Sequence, residues 1–215
     1  MPANLVELSK CLSKMKEIYT NDAVASVRSQ AFINILHDYC IDELKRAGIN
    51  VRKFTILKEA TLYGSHKQKD VDIAVIESIN GPQILIGVRS QMSSVSKNIL
   101  TYYEEIIGDC ISLHDRFPMA VINYVYLIPN KPLKSGLEKE RIDLERAEKL
   151  FKLIAGRKDW RDAKDKYEHF AFLKVDFTQD PPKLFDTCDE LNIEKFFDRI
   201  IVTYNERNIY NLIGN

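Results

Sequence analysis

The sequence predicts an α/β domain in which a central mixed β-sheet is flanked by helices. Three observations predict it. Stretches with apolar residues at helical spacing are interspersed with short apolar runs of strand length. Two of those runs, Val71–Ile76 and Gln83–Gln91, flank an Asn80-Gly81-Pro82 turn signal. A third run, Met119–Ile128, is nearly continuously apolar, as suits an interior strand covered on both faces.

The first 48 residues read as helical. Within Val24–Ala47 the residues Val27, Ala31, Ile35, Leu36, Tyr39, Cys40 and Leu44 recur on one helical face, and Gly48 stops the helix. The β-rich segment Val51–Tyr63 follows as a strand and breaks at Gly64-Ser65. Along Gln83–Gln91 the two-residue period puts Ile84, Ile86 and Val88 on one face and Leu85, Gly87, Arg89 and Gln91 on the other. Lys97–His114 is an amphipathic helix, with Ile99, Leu100, Tyr103, Ile106, Ile107, Cys110 and Ile111 on its apolar side. Beyond Pro129 and Pro132 come a charged amphipathic helix over Glu138–Ala155, a strand over His169–Phe177, a loop over Thr178–Asp189 and a helix over Ile193–Arg207. These pieces are expected to form one domain: N-terminal helices over 1–48, a core over 49–132 and a C-terminal elaboration over 133–215.

Hydrophobic residues at 45% and charged residues at 29% give enough apolar area for a sizeable core and exclude a disordered chain. Lys plus Arg equals Asp plus Glu at 31 each, so the chain as a whole lacks the basic excess of a nucleic-acid-binding protein and charge has to be read locally. Cys11, Cys40, Cys110 and Cys188 lie far apart without CxxC or zinc-ligand spacing, and are expected to be reduced thiols. No stretch approaches the roughly 18 apolar residues of a membrane helix, and the first residues lack a signal-peptide core, so a cytoplasmic location is expected.

The chemistry concentrates at Asp70-Val71-Asp72, expected at the head of a strand, with a neighbouring strand presenting Arg89. Carboxylates at a strand end beside a cation suit a divalent metal held against a phosphate. A solvated Asp-x-Asp at a strand entrance is an equally ordinary reading. Gln91, one pleat beyond Arg89, is placed to orient a water or a phosphate oxygen. Lys67 and Lys69 precede the acids, and Ser94, Lys97 and Asn98 lie near a helix N-terminus that offers N–H groups to a DNA phosphate. His37, His114 and His169 read as structural, whereas His66 sits in the loop before the acids.

The order helix, strand, hairpin, helix, strand over Val24–Ile128 resembles the PD-(D/E)XK nucleases, restriction-endonuclease-like members in particular. The resemblance covers about half of the chain and is one of order more than of motif. It implies a restriction-endonuclease-like fold and Mg²⁺-dependent hydrolysis of double-stranded DNA, with Asp72, or alternatively Asp70, as first metal-binding acid. A homodimer would follow for a palindromic target. The family's acid-x-lysine triplet falls on Gly87-Val88-Arg89, which has neither the acid nor the lysine. An arginine keeps positive charge but does not readily transfer a proton. Either the site is inactive and the fold binds DNA or a protein, or an acid has migrated into it from Glu43, Glu77 or Glu104. Gly64-Ser65 followed by Asp70-Val71-Asp72 is also similar to the signature of nucleotidyltransferases, although strand rather than helix precedes the Gly-Ser pair.

Overall fold

The computed structural model describes residues 1–21, 30–131, 142–209 and 212–213. Strands β1 (Phe54–Tyr63), β2 (Gln68–Glu77), β3 (Gly81–Ser90), β4 (Val121–Pro129), β5 (His169–Asp176) and β6 (Lys183–Phe185) form one sheet in sequence order. The turns joining β1, β2 and β3 are short, and these strands run antiparallel. The β3–β4 and β4–β5 pairs are parallel, because a helix-containing crossover separates the strands of each pair. β6 pairs antiparallel at the far edge. The mixed sheet flanked by helices is therefore present.

Two apolar layers cover the sheet. Helices α1 (Leu5–Asn21), α2 (Ala31–Arg46) and α5 (Ile193–Arg207) bury Leu12, Leu36 and Ile200 against Ile84, Ile86 and Val125 on one face. Helices α3 (Val95–Arg116) and α4 (Leu144–Leu153) bury Ile106 and Phe151 against Leu85, Ile122 and Tyr126 on the other. β4 is buried at all nine positions, which is the physical reason for its nearly continuous apolar sequence, broken by Asn123.

Several boundaries differ from expectation. The helix expected over Val24–Ala47 is α2, which starts at Ala31 after Gln30 adopts a left-handed φ of 56°; residues 22–29 lie outside the described residues. Of the helix expected over Glu138–Ala155, Leu144–Leu153 is observed, and 132–141 lie outside the described residues. The expected loop Thr178–Asp189 contains β6, whose short pairing with β5 leaves no long periodic signal. Asp70 and Asp72 lie inside the ten-residue β2, not at its head: a polar strand start, Gln68-Lys69-Asp70, hides its first turn of pairing with β1.

One irregularity prepares the site. Glu59 has φ 55° and faces Asp72, and the β1–β2 ladder skips this one pair. On either side of it both strands exchange faces. Phe54 and Ile56 join the layer under α2, whereas Ala60 and Leu62 join the layer under α3; Ile73 and Val75 join the first, and Val71 the second. Asp72 thus sits where β2 turns over.

Candidate functional site

The β2–β3 ladder ends at Ile73↔Ile86, while β3 goes on pairing with β4 as far as Ser90↔Leu127. The two strands part at Asp72, and the N–H of Val88 would be left without a strand partner. Asp72 supplies the acceptor itself: its Oδ2 takes the Val88 N–H at 2.7 Å. Asp72 Oδ1 lies 3.6 Å from Nε2 of His37, a buried ring on α2 whose two nitrogens have no hydrogen-bond partner. Burial pushes the Asp72 carboxyl up to about 6, against the lowering pull of the Val88 N–H and of Arg89. Burial also holds His37 down at about 4, with Lys58 adding to the effect.

The opening between the strands leads into a cavity of about 180 Å³, whose walls include Lys69, Asp70, Asp72, Arg89, Asp109 and Tyr124. Lys69, Asp70 and Asp109 also line an adjoining open groove that contains Lys67 and Glu104. The structure therefore brings Asp70, Asp72, Lys69 and Arg89 together around one space, as their order along the strands implied. Asp109 was not foreseen. It stands four residues beyond Glu105 on α3, one turn along the same face, and that helical spacing was the available signal.

The cations in this space are already paired. Lys69 forms an ion pair with Asp109, and Arg89 reaches Glu105 at 3.0 Å while its guanidinium lies 4.5 Å from the Tyr102 ring centroid. Gln91 is buried and its amide is engaged, accepting from the Tyr126 hydroxyl at 2.8 Å and donating to the Ser94 carbonyl at 3.3 Å. It holds the start of α3 to β4 and does not face the cavity. Ser94 stands at the α3 N-cap position with φ 52° and makes no side-chain cap bond; Ser94 and Asn98 are half-exposed and Lys97 is exposed. None of these three lines the cavity or the groove beside it.

The triplet position is decided by packing. Gly87 is the register partner of Tyr124, and a Cβ at Gly87 would lie 2.4 Å from Tyr124 Cε2 and 2.6 Å from Cδ2. The Tyr124 ring is fixed in turn by Phe170 and Tyr167, with centroids at 5.5 and 5.3 Å. The space that an acid at position 87 would need is filled by an aromatic ring.

Migrated acids do not repair the loss. Glu43 is buried and accepts from Asn4 N and from Arg46. Glu77, five residues along β2 from Asp72, or roughly 17 Å of strand, closes the turn by accepting from Asn80 N and Nδ2. Glu104 is exposed in the groove outside the cavity. Asp70 accepts from the Thr61 hydroxyl at 2.7 Å. Among the described residues, no three His, Cys, Asp or Glu side chains are grouped as metal ligands. With Asp72 bound to Val88 N–H, Asp109 paired with Lys69 and Gly87 covered, these residues do not fit the Mg²⁺ centre that the resemblance implies.

The Gly64-Ser65 turn is likewise closed. Gly64 N donates to Lys67 O at 3.0 Å and Ser65 N to Ser112 O at 3.2 Å, so neither N–H is open to a triphosphate. Both residues follow β1 directly. His66 is exposed, 3.8 Å from Asp115.

A scan against protein-family models gives no match, and searches of curated proteins and of solved structures return none either. No helix among the described residues is long and apolar enough to cross a membrane.

Proposed function

We propose that this chain is a non-catalytic protein of restriction-endonuclease-like fold, and that it binds a protein partner at the groove beside Asp72. Support for the fold comes from the run α2, β1, β2, β3, α3, β4, with three antiparallel strands and a fourth parallel to the third. The reading of a lost hydrolytic centre rests above all on one observation: the Tyr124 ring lies where the acid at position 87 would stand.

Charge favours a protein over DNA. The groove presents Asp70, Glu104, Glu105 and Asp109 against Lys67 and Lys69, an excess of acid that repels a phosphate backbone. Binding DNA by counterion release needs several unpaired cations on one surface, and here Lys69 and Arg89 are neutralised by acids. A cytoplasmic location belongs to the same reading, supported by four cysteines that are all free thiols.

Supercoiled plasmid incubated with the full chain in Mg²⁺ or Mn²⁺ is expected to stay uncut, and a DNA duplex to run unshifted at about 0.15 M salt. Cutting that disappears in Asp72→Asn would overturn the non-catalytic reading. A retarded duplex would replace the protein partner with DNA.

A further inference from the structure

A second concave surface lies at the opposite end of β2 from Asp70. The β2–β3 turn, the α3–β4 connection and the end of α5 bound a groove of about 610 Å³. That is within the range of clefts that take a ligand, about 300–1,000 Å³. Phe117, Pro118, Met119 and Ile209 give it an apolar lining, and Met119 and Ile209 are 48% and 65% exposed. Ile79, in the adjoining turn, is more exposed still. Apolar side chains gathered on one concave surface, unlike those scattered singly, mark a docking site.

The charge of this groove has one sign. Arg116 and Arg207 line it, and no Asp or Glu does. Arg116 is exposed, lies 5.9 Å from the Phe117 ring centroid and has no ion-pair partner among the described residues. The Arg207 side chain is 7% exposed and shares Glu168 with Arg157, so one carboxylate faces two guanidinium groups and positive charge is left over. Cations often serve to cap helix C-termini, but these two are not spent that way. Phe117 N donates to Leu113 O, Asn208 N to Asn205 O and Asn208 Nδ2 to Tyr204 O, whereas Arg207 donates to Ala120 O and Glu168. The acids adjoining the lining in sequence are turned elsewhere: Glu77 accepts from Asn80, Asp115 pairs with Lys164, and Glu206 is exposed outside the groove.

Apolar side chains beside uncompensated arginines complement a chain segment that carries carboxylates next to apolar residues. A phosphate backbone would use the cations and leave the apolar lining in water. A second copy in a two-fold contact would set arginine against arginine. We propose that this groove docks a segment of a partner protein in which Asp or Glu adjoins Leu, Ile or Phe. The surface is separate from the groove beside Asp72, and failure of either reading leaves the other standing.

A random heptapeptide library displayed on phage, selected against the full chain, tests this. Selected peptides are expected to carry acid–apolar pairs and, titrated into the ¹⁵N-labelled full chain, to shift the amides of Met119, Ala120 and Asn208 saturably. Arg116→Glu, an exposed change, should weaken them about tenfold, and Met119→Ser should weaken them in the same direction. Lys10→Glu on α1 makes the same change in net charge outside the groove and should bind as wild type does. No enrichment, selected peptides without acids, or an affinity unchanged in both groove variants would overturn the proposal. A DNA duplex that shifts the same amides more strongly than the peptides would replace the protein segment with nucleic acid.

Discussion

Glu168→Gln should lower stability by about 4 kcal/mol, a drop of roughly 10 °C in Tm for a chain of this size. Glu168 is 1% exposed and is the shared acceptor of four groups, from three elements and the loop after α4. Arg157 Nη1 reaches it at 2.5 Å, Arg207 Nη2 of α5 at 2.8 Å, His114 Nε2 of α3 at 3.1 Å and the Ile122 N–H at the start of β4 at 2.8 Å. Removing the carboxylate leaves two arginines buried without an anion, the costly way to break a buried pair. Burial alone would push Glu168 up, but the His114 bond, Arg207 and the Ile122 N–H together hold it down at about 2, from a usual 4.5. A depressed carboxyl stabilises the fold above its unfolded value and loses that contribution as pH falls through its folded value. The gap in Tm between wild type and variant should therefore be full above pH 4.5 and close towards pH 2. A gap that stays constant across that window would show that Glu168 acts by shape and not by charge.

Gly87→Glu combined with Arg89→Lys, which would put into β3 the acid-x-lysine triplet that the proposed nuclease-like fold lacks, should yield an unstable protein and not a nuclease. Even a methyl group at position 87 meets the Tyr124 ring at 2.4 Å, and Phe170 and Tyr167 block its retreat. Overpacking of this kind costs about 1–3 kcal/mol, and a buried glutamate adds to it. The cause can be isolated with Gly87→Ala. Measured by urea unfolding, it should be destabilising in the wild type and nearly neutral in a Tyr124→Ala background, a coupling of about 1–3 kcal/mol. Equal costs in the two backgrounds would mean that the ring is not what excludes a side chain there.

Much of the fold was legible because periodicity reports burial directly. The apolar run at Met119–Ile128 became β4, and the face assignment of Ile84, Ile86 and Val88 against Leu85 matches the two layers they join. The clustering of Asp70, Asp72 and Arg89 followed from strand order alone. What the residues did not reveal depends on contacts between distant segments. Nothing at Glu59 announces a left-handed backbone, so the face exchange at Asp72 was hidden. A glycine within an acid-x-lysine position reads as a missing ligand, and only the register with β4 shows that Tyr124 occupies its place. Gln91 looked poised for catalysis because its face was right, yet Tyr126 takes up its amide.

A titration of the full chain with Mn²⁺, followed by calorimetry, tests most directly whether Asp72 belongs to a metal centre. With a covered glycine at position 87, an Asp72 oxygen bound to Val88 N–H and Asp109 paired with Lys69, wild type should give no saturable heat, indistinguishable from Asp72→Asn. A stoichiometric site in the wild type that vanishes in Asp72→Asn would contradict the account.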